Sequence, residues 1–322
     1  MSAAPPTATH RSARGRHGLM HWLMLLATLS WAGNMIAGKE ALREISPLAL
    51  AQFRVGGAAL ILLAAFFAWP GRPRLHIARR EWGRLIVLAL FGITLNQILF
   101  IGGLSRTSVA HTGLLVALGP VMVLMLSVGS RLEALTGAKV AGMLLSFAGV
   151  GILTSGRFSG ARQPTGWTGD LIVLSSSTVF ALYTVLLKKD AHRYDALTLN
   201  ALTYALGAIL LVPVCGKPFL DMRWRAVTGM GWFGAFYMVV LGSVIAYLIY
   251  AFALTELAAS RVAAFSYLQP VIATGLAIWL LAEKLTSGVV AGGALILGGV
   301  YLAERERGEE AARLVSTPPE GE

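Results

Sequence analysis

Two stretches of this chain are near-copies of each other, and both consist of strongly apolar sequence. The first reads LGPVMVLMLSVGSRLEALTGAKVAGMLLSFAGV, from Leu118 to Val150, and the second LQPVIATGLAIWLLAEKLTSGVVAGGALILGGV, from Leu268 to Val300. A constant offset of 150 residues carries Pro120 onto Pro270 and Glu133 onto Glu283. Roughly 13 of ~33 positions are identical, a self-similarity above chance even for two apolar segments. A chain built this way folds as two related halves, and any site it holds is expected between them.

The halves belong in a bilayer. The chain has 322 residues, 56% hydrophobic and only 13% charged, where soluble domains carry about 25% charged residues. Ten apolar segments follow one another: Leu19–Gly38, Pro47–Trp69, Leu85–Leu104, Val109–Val128, Val140–Ser155, Leu171–Leu187, Leu197–Cys215, Trp232–Leu254, Val262–Leu281 and Val289–Ala303. They are continuous runs near the ~20-residue spanning length, without strand alternation, so helices are expected and a barrel is excluded. The fold class read from the sequence is an all-α integral membrane protein with ten transmembrane helices in two five-helix repeats. The expected units are a disordered stretch 1–18, a first repeat 19–155, a linker 156–168, a second repeat 169–303 and a charged tail 304–322. The arginine-rich start and the following apolar run resemble a signal peptide. The run is too long and lacks a small-residue cleavage site, so it reads as a retained first helix.

An odd number of helices per repeat makes the second repeat enter the membrane from the opposite side, which gives inverted topology. With both termini inside, about 17 Lys/Arg fall on the cytoplasmic side and about 9 outside. The loop 71–84, with Arg72, Arg74, Arg79, Arg80 and Arg84, weighs most. The net charge of +11 is therefore a topology signal in short loops and not a nucleic-acid footprint. The expected location is the inner (plasma) membrane, with cytoplasmic termini. A single cysteine, Cys215, rules out an internal disulfide and any cysteine-cluster metal site.

The duplication also covers the start of each half. Ser30-Trp31-Ala32-x-Asn34 through Lys39 aligns with Val179-Phe180-Ala181-x-Tyr183 through Lys188. The run WAGNMIAGK, the segment NQILFIGGLSRTS and the doubled P…E-x-L-T…AG…GV block resemble the EamA-type transporters of the drug/metabolite transporter superfamily, over essentially the whole of 19–303. The resemblance implies ten helices, two inverted repeats and cytoplasmic termini. It also implies a central cavity walled mainly by helices 1, 3, 4, 6, 8 and 9, and transport of small metabolites, often amino acids.

Candidate site residues follow from polarity inside apolar helices. Arg54 lies roughly 10 Å along the second helix, and a charge there reads either as a substrate or gating contact or as a snorkelling anchor. Asn34, Asn96 and Gln269 are amides able to bind a polar ligand or to join helices. Gln97 points about 100° away from Asn96, so the two are not expected to face the cavity together. Trp31, Tyr183, Tyr247 and Tyr267 are candidate aromatic lining, with simple packing as the alternative. Pro120 and Pro270 are expected mid-helix, as paired hinges or static kinks. His111 is a candidate proton carrier or an interfacial histidine bonded to a carbonyl. Glu133 and Glu283 precede Thr136 and Thr286 and read as helix-end capping groups. The glycines of helices 5 and 10 read as packing. No Asp or Glu is expected in any helix core.

No zincin, P-loop or nucleophile-elbow motif is present. The expected function is thus non-enzymatic: secondary transport, as an exporter, of a small metabolite such as an amino acid or derivative. The alternatives are a drug or organic-cation exporter, or a membrane receptor or scaffold. No cofactor and no metal is expected. The expected partners are a small-molecule substrate and the bilayer, with no nucleic acid, and a homodimer is left open.

Overall fold

A computed structural model describes residues 8–70, 77–129, 136–154, 167–190, 193–256, 265 and 268–316. Among these, every regular element is helical. We number the helices in chain order. Helix α1 is Ala8–Ala41, α2 is Pro47–Ala68, and α3 runs Arg79–Ala89, Leu90–Leu95, Asn96–Leu104. Helix α4 has two parts, Val109–Val116 and Gly119–Gly129, and α5 is Gly137–Thr154. The second half repeats the plan. Helix α6 is Trp167–Asp190, α7 is Ala196–Leu220, and α8 runs Gly229–Val239, Val240–Ile245, Ala246–Glu256. Helices α9, Leu268–Leu281, and α10, Ser287–Ser316, complete it. Seven helices are long and apolar enough to cross a membrane, and three more, in α5, α9 and α10, are shorter apolar helices.

Packing respects the repeat. Helix α1 lies on α8 and α9, as its counterpart α6 lies on α3 and α4. Helix α2 packs on α8 as α7 packs on α3, and the counterparts α2 and α7, and α5 and α10, pair with each other. The α5–α10 contact depends on glycine. Gly149 faces the Gly292 carbonyl and Gly292 faces the Gly149 carbonyl, so a Cβ on either would lie under 3 Å from backbone.

Two local features depart from uniform α-helix at equivalent places. Leu90–Leu95 in α3 and Val240–Ile245 in α8 are π-helical, 150 residues apart. A π turn leaves the backbone wider and its carbonyls less tightly paired, and such turns gather at functional sites. Helix α4 is broken rather than kinked: the first part stops at Val116 and the second begins at Gly119, with Pro120 as its second residue. A first-turn proline has no intrahelical N–H to lose, so the break accommodates Pro120 without the strain expected of a mid-helix proline. Pro270 likewise sits in the first turn of α9 as described. Residues 262–264 and 266–267, which would place it mid-helix, lie outside the described residues.

The helix ends at one side are tied together by a short loop. Glu44 accepts from the Thr228 hydroxyl at 2.6 Å and the Thr228 amide at 2.6 Å. Those bonds hold its carboxyl below the usual carboxylate range. The contact joins the α1–α2 turn to the start of α8.

Candidate functional site

A cavity of about 160 Å³ lies between the two halves. Its walls come from α1, α2, α3, α4, α6, α8 and α9, with Phe265 at one end. Trp31, Asn34, Asn96, Tyr247, Gln269, Arg54 and Pro120 all line it, together with Gln97, Phe180 and Tyr250. Tyr183 does not: it is buried with its ring against Gly92, where any Cβ would overlap it. Asn34, its repeat counterpart, lies in the same way against Gly242. The two glycines sit in the two π turns, so the same glycine accepts the side chain from the facing helix in each half. Tyr267 lies outside the described residues, as does Glu133.

The π turn of α8 supplies an acceptor to the cavity wall. The Gly242 carbonyl accepts from the Trp31 indole N–H at 3.2 Å and from Arg54 Nη2 at 3.2 Å. Arg54 Nε donates to Ser243 Oγ at 2.8 Å, and its guanidinium stands 5.8 Å over the Phe100 ring. Arg54 is 2% exposed. Across the cavity, Asn96 and Gln97 both donate to the Tyr247 hydroxyl, at 3.2 and 3.3 Å. On an ideal helix Asn96 and Gln97 point about 100° apart. Here the two amides straddle one hydroxyl, and both reach the cavity just past the π turn. Ser176 Oγ donates to Asn96 Oδ1 at 2.8 Å and fixes that amide's orientation.

Four aromatic rings close around this polar belt. Trp31 meets Tyr250 at 5.5 Å and Tyr247 at 5.9 Å, and Phe180 meets the same two at 5.7 and 6.2 Å. Steep or tilted ring contacts of this kind favour electrostatic complementarity between edges and faces.

The cavity is asymmetric along the helices. It extends to Met24, Thr184, Leu254 and Phe265; Met24 lies roughly 22 Å along α1 from Lys39. Toward Lys39 it is stopped by a buried apolar layer of Ala32, Met35, Ile36, Leu104, Val109, Ala273 and Ala277. Beyond that layer, three helix ends converge on the α3–α4 corner. From α1, Lys39 Nζ donates to the Leu104 and Thr107 carbonyls at 2.9 and 2.6 Å. From the end of α9, Glu283 accepts from the Val109 and Ala110 amides at 2.9 and 3.2 Å. From α6, Asp170 pairs with His111 Nδ1 at 3.0 Å and accepts from the Thr107 hydroxyl.

Two of these contacts correct the sequence reading. Asp170 is a buried carboxylate, 2% exposed, in the first turn of α6, at the end of the span Trp167–Leu187 and not in its core. Hydropathy starts that segment at Leu171, one residue too late to include it. His111 is accordingly held by a carboxylate and not by a backbone carbonyl. Glu283 does cap a helix, but the helix is α4 and not its own α10. Thr286 caps α10, accepting from the Val289 amide at 3.3 Å. Ala282 turns Glu283 back toward α4 by adopting φ 52°, a left-handed conformation that costs a non-glycine residue about 1–2 kcal/mol.

A bundle of apolar helices, doubled in sequence and enclosing a polar and aromatic cavity shut at one end, defines a multi-pass membrane transporter. The model of the EamA-like transporter family matches residues 18–155 and again 167–304, and the chain belongs to that family. An uncharacterized transporter of Archaeoglobus fulgidus is 33% identical over 88% of this chain and 96% of that protein. The uncharacterized transporter YvbV of Bacillus subtilis is 28% identical over 91% of this chain and 94% of its own length. A probable terminal-alkyne amino-acid exporter of Streptantibioticus cattleyicolor is 24% identical over 92% and 97%. A solved crystal structure, 20% identical, superposes over 93% of this chain and 99% of its own with a TM-score of 0.61, and shares the fold.

Proposed function

We propose that this protein is a secondary transporter that exports a small metabolite, an amino acid or a derivative of one, by alternating access. The observation that carries this reading is the cavity between the halves, whose described lining reaches Met24 and Phe265 in one direction and is bounded in the other by an apolar layer and three polar contacts. An amino-acid exporter among the relatives supports the substrate class. The three shorter apolar helices support ten spans, and the charge of the loops supports inverted repeats with cytoplasmic termini in the inner membrane. In that orientation the Lys39 end faces outward and the cavity faces the cytoplasm. Asn34, Asn96, Tyr247, Trp31, Gln269 and Arg54 are proposed as the substrate-contacting set. The breaks at Pro120 and Pro270 are proposed as the places where α4 and α9 flex. Export of an organic cation is disfavoured, because the cavity's described lining holds a cation and no carboxylate.

Counterflow in proteoliposomes tests the reading. Vesicles loaded with an unlabelled amino-acid mixture are expected to accumulate at least one labelled amino acid transiently above its external concentration. Uptake equal to that of protein-free vesicles for every amino acid contradicts it.

A further inference from the structure

The stopped end of the molecule contains a buried pair whose chemistry goes beyond holding helices together. His111 Nδ1 faces both Asp170 oxygens, at 3.0 and 3.2 Å, and the Thr107 hydroxyl donates to the same carboxylate. The two side chains are 5% and 2% exposed. Nδ1 carries a hydrogen whenever Asp170 is ionised, whether the ring is neutral or charged. Nε2 makes no hydrogen bond among the described residues, so it is the atom that takes up a further proton.

The position of the pair decides which side supplies that proton. Neither residue belongs to the described lining of the cavity, and the apolar layer that includes Val109, Ala273 and Ala277 separates the two. On the far side of that layer, a pocket of about 200 Å³ lined by Lys39, Arg43, Ser105 and Glu283 brings solvent to the α3–α4 corner.

Charge makes the contact depend on the state of the ring. His111 is the third residue of α4, with its amide held by the N-cap Ser108. A cation there opposes the positive end of the helix dipole and is tolerated while Asp170 lies against it. Protonation turns a neutral N–H donor into a charge-assisted one, roughly twice as strong, and so tightens the hold of α6 on the corner. If α6 and the corner separate, an imidazolium is left at the start of α4 without its carboxylate. Acid therefore favours the shut end over the open one. The neighbouring charged groups are Lys39 from α1, Glu283 from the end of α9, and Arg106 of the corner, which is exposed and bonded to the Gly102 carbonyl. Exposed Lys284 precedes α10, which meets α4 through Gly293 and Leu114. Of these types and histidine, histidine alone ordinarily titrates near neutral pH. His21 lies at the opposite end of the cavity, its ring 5.8 Å from that of Phe265.

We propose that His111 is a proton-binding site of the outer end: a proton taken up on Nε2 from the outside holds that end shut through Asp170 and is returned to the same side, so that external acid slows transport without driving it. The proposal rests on the transport reading, which sets the end that faces outward. A proton exchanged for substrate would have to leave through the cavity while the outer end is shut, and in that state the pair lies behind the apolar layer.

Thiol accessibility in nanodiscs tests the site without a substrate. In a Cys215→Ala background, the ratio of the Ala277→Cys rate to the Thr184→Cys rate toward a small charged reagent largely cancels the ionisation of the thiols themselves. That ratio is expected to fall about 10-fold between about pH 8 and about pH 5.5. It is expected to change by less than about 2-fold once His111→Gln, which takes up no proton, is added. Asp170→Asn, which removes the charge that answers the imidazolium, is expected to abolish the fall as well and serves where His111→Gln does not fold. A ratio in the starting protein that stays level or rises in acid overturns the proposal, as does a fall that persists in a folded variant. A second measurement asks whether the proton crosses. For an amino acid that shows counterflow, set equal on both sides of proteoliposomes, a pH gradient of about two units is expected to leave the two concentrations within about 2-fold of each other, where one-for-one exchange supports about 100-fold. Larger accumulation overturns the proposal. Failure of the transport reading shows separately, as absence of counterflow for every amino acid while the thiol ratio still follows pH.

Discussion

Alanine in place of Gly299 is expected to lower the unfolding temperature by roughly 5 °C, and leucine to prevent recovery of folded protein altogether. The reason lies in the α5–α10 pair, which packs backbone against backbone. A Cβ on Gly299 would overlap Ser146 Oγ and lie 2.5 Å from the Gly142 carbonyl and 2.6 Å from the Ser146 amide. Side chains can rotate away, but two of these three atoms are helix backbone and move only with α5 itself. Lipid supplies no hydrophobic force to hold two membrane helices together, so close approach of small residues is the main attraction the pair has. Separating them also breaks the Ser146 Oγ donation to the Ile296 carbonyl at 3.3 Å. Overpacking costs about 1–3 kcal/mol in adaptable cores, and this contact lies at the upper end. Gly151, where a Cβ meets nothing within 4 Å, is the matched control: Gly151→Ala is expected to be neutral. Thermal unfolding in detergent reads both, and a Gly299→Ala protein as stable as the control refutes the packing account.

Removing the Asp170 carboxylate is expected to cost about 3 kcal/mol, the scale of breaking a buried ionic or charge-assisted pair by deleting one partner. Asp170→Ala strands the His111 imidazole and the Thr107 hydroxyl, both buried. The double variant His111→Ala/Asp170→Ala removes the stranded ring as well. It is expected to be less destabilised than the two single losses added together. Simple additivity in that cycle shows that the two side chains do not depend on each other. The pair also joins α6 to the same α3–α4 corner that Lys39 and Glu283 hold. Loss of Asp170 is therefore expected to loosen the stopped end of the cavity as well as the fold.

Polarity inside apolar segments makes part of this arrangement legible in the sequence. Trp31, Asn34, Asn96, Arg54, Tyr247 and Gln269 stand out as polar or aromatic residues in apolar helices, and they line one cavity. What escaped were features that hydropathy does not register. The π turns at Leu90–Leu95 and Val240–Ile245 read as uninterrupted apolar helix. Their one sequence trace is Gly92 and Gly242 recurring 150 residues apart, inside segments whose other residues have diverged. Asp170 escaped because a carboxylate in a helix's first turn resembles an ordinary favourable end group, while its partner lies 59 residues away in sequence. The role of Glu283 escaped for a related reason. Capping is usually inferred locally, and this carboxylate caps a helix 173 to 174 residues upstream. Tyr183 aligns with Asn34, but equivalent positions facing equivalent glycines need not both reach the cavity. The tyrosine's bulk fills the space against Gly92.

Alternating access requires the cavity to be accessible from one end at a time. Reactivity of single cysteines toward a small charged thiol reagent tests it most directly, in nanodiscs and in a Cys215→Ala background. Thr184→Cys reports the Met24–Phe265 end, since Thr184 is half-buried and lines the cavity. Ala277→Cys reports the stopped end, since Ala277 is fully buried in the apolar layer. Thr184→Cys is expected to react about 10-fold faster than Ala277→Cys, and adding Glu283→Gln, which weakens the hold on α4, is expected to raise the second rate while lowering the first. Equal rates in the starting background, or two rates that rise together when Glu283 is changed, would contradict alternating access and describe a pore open at both ends.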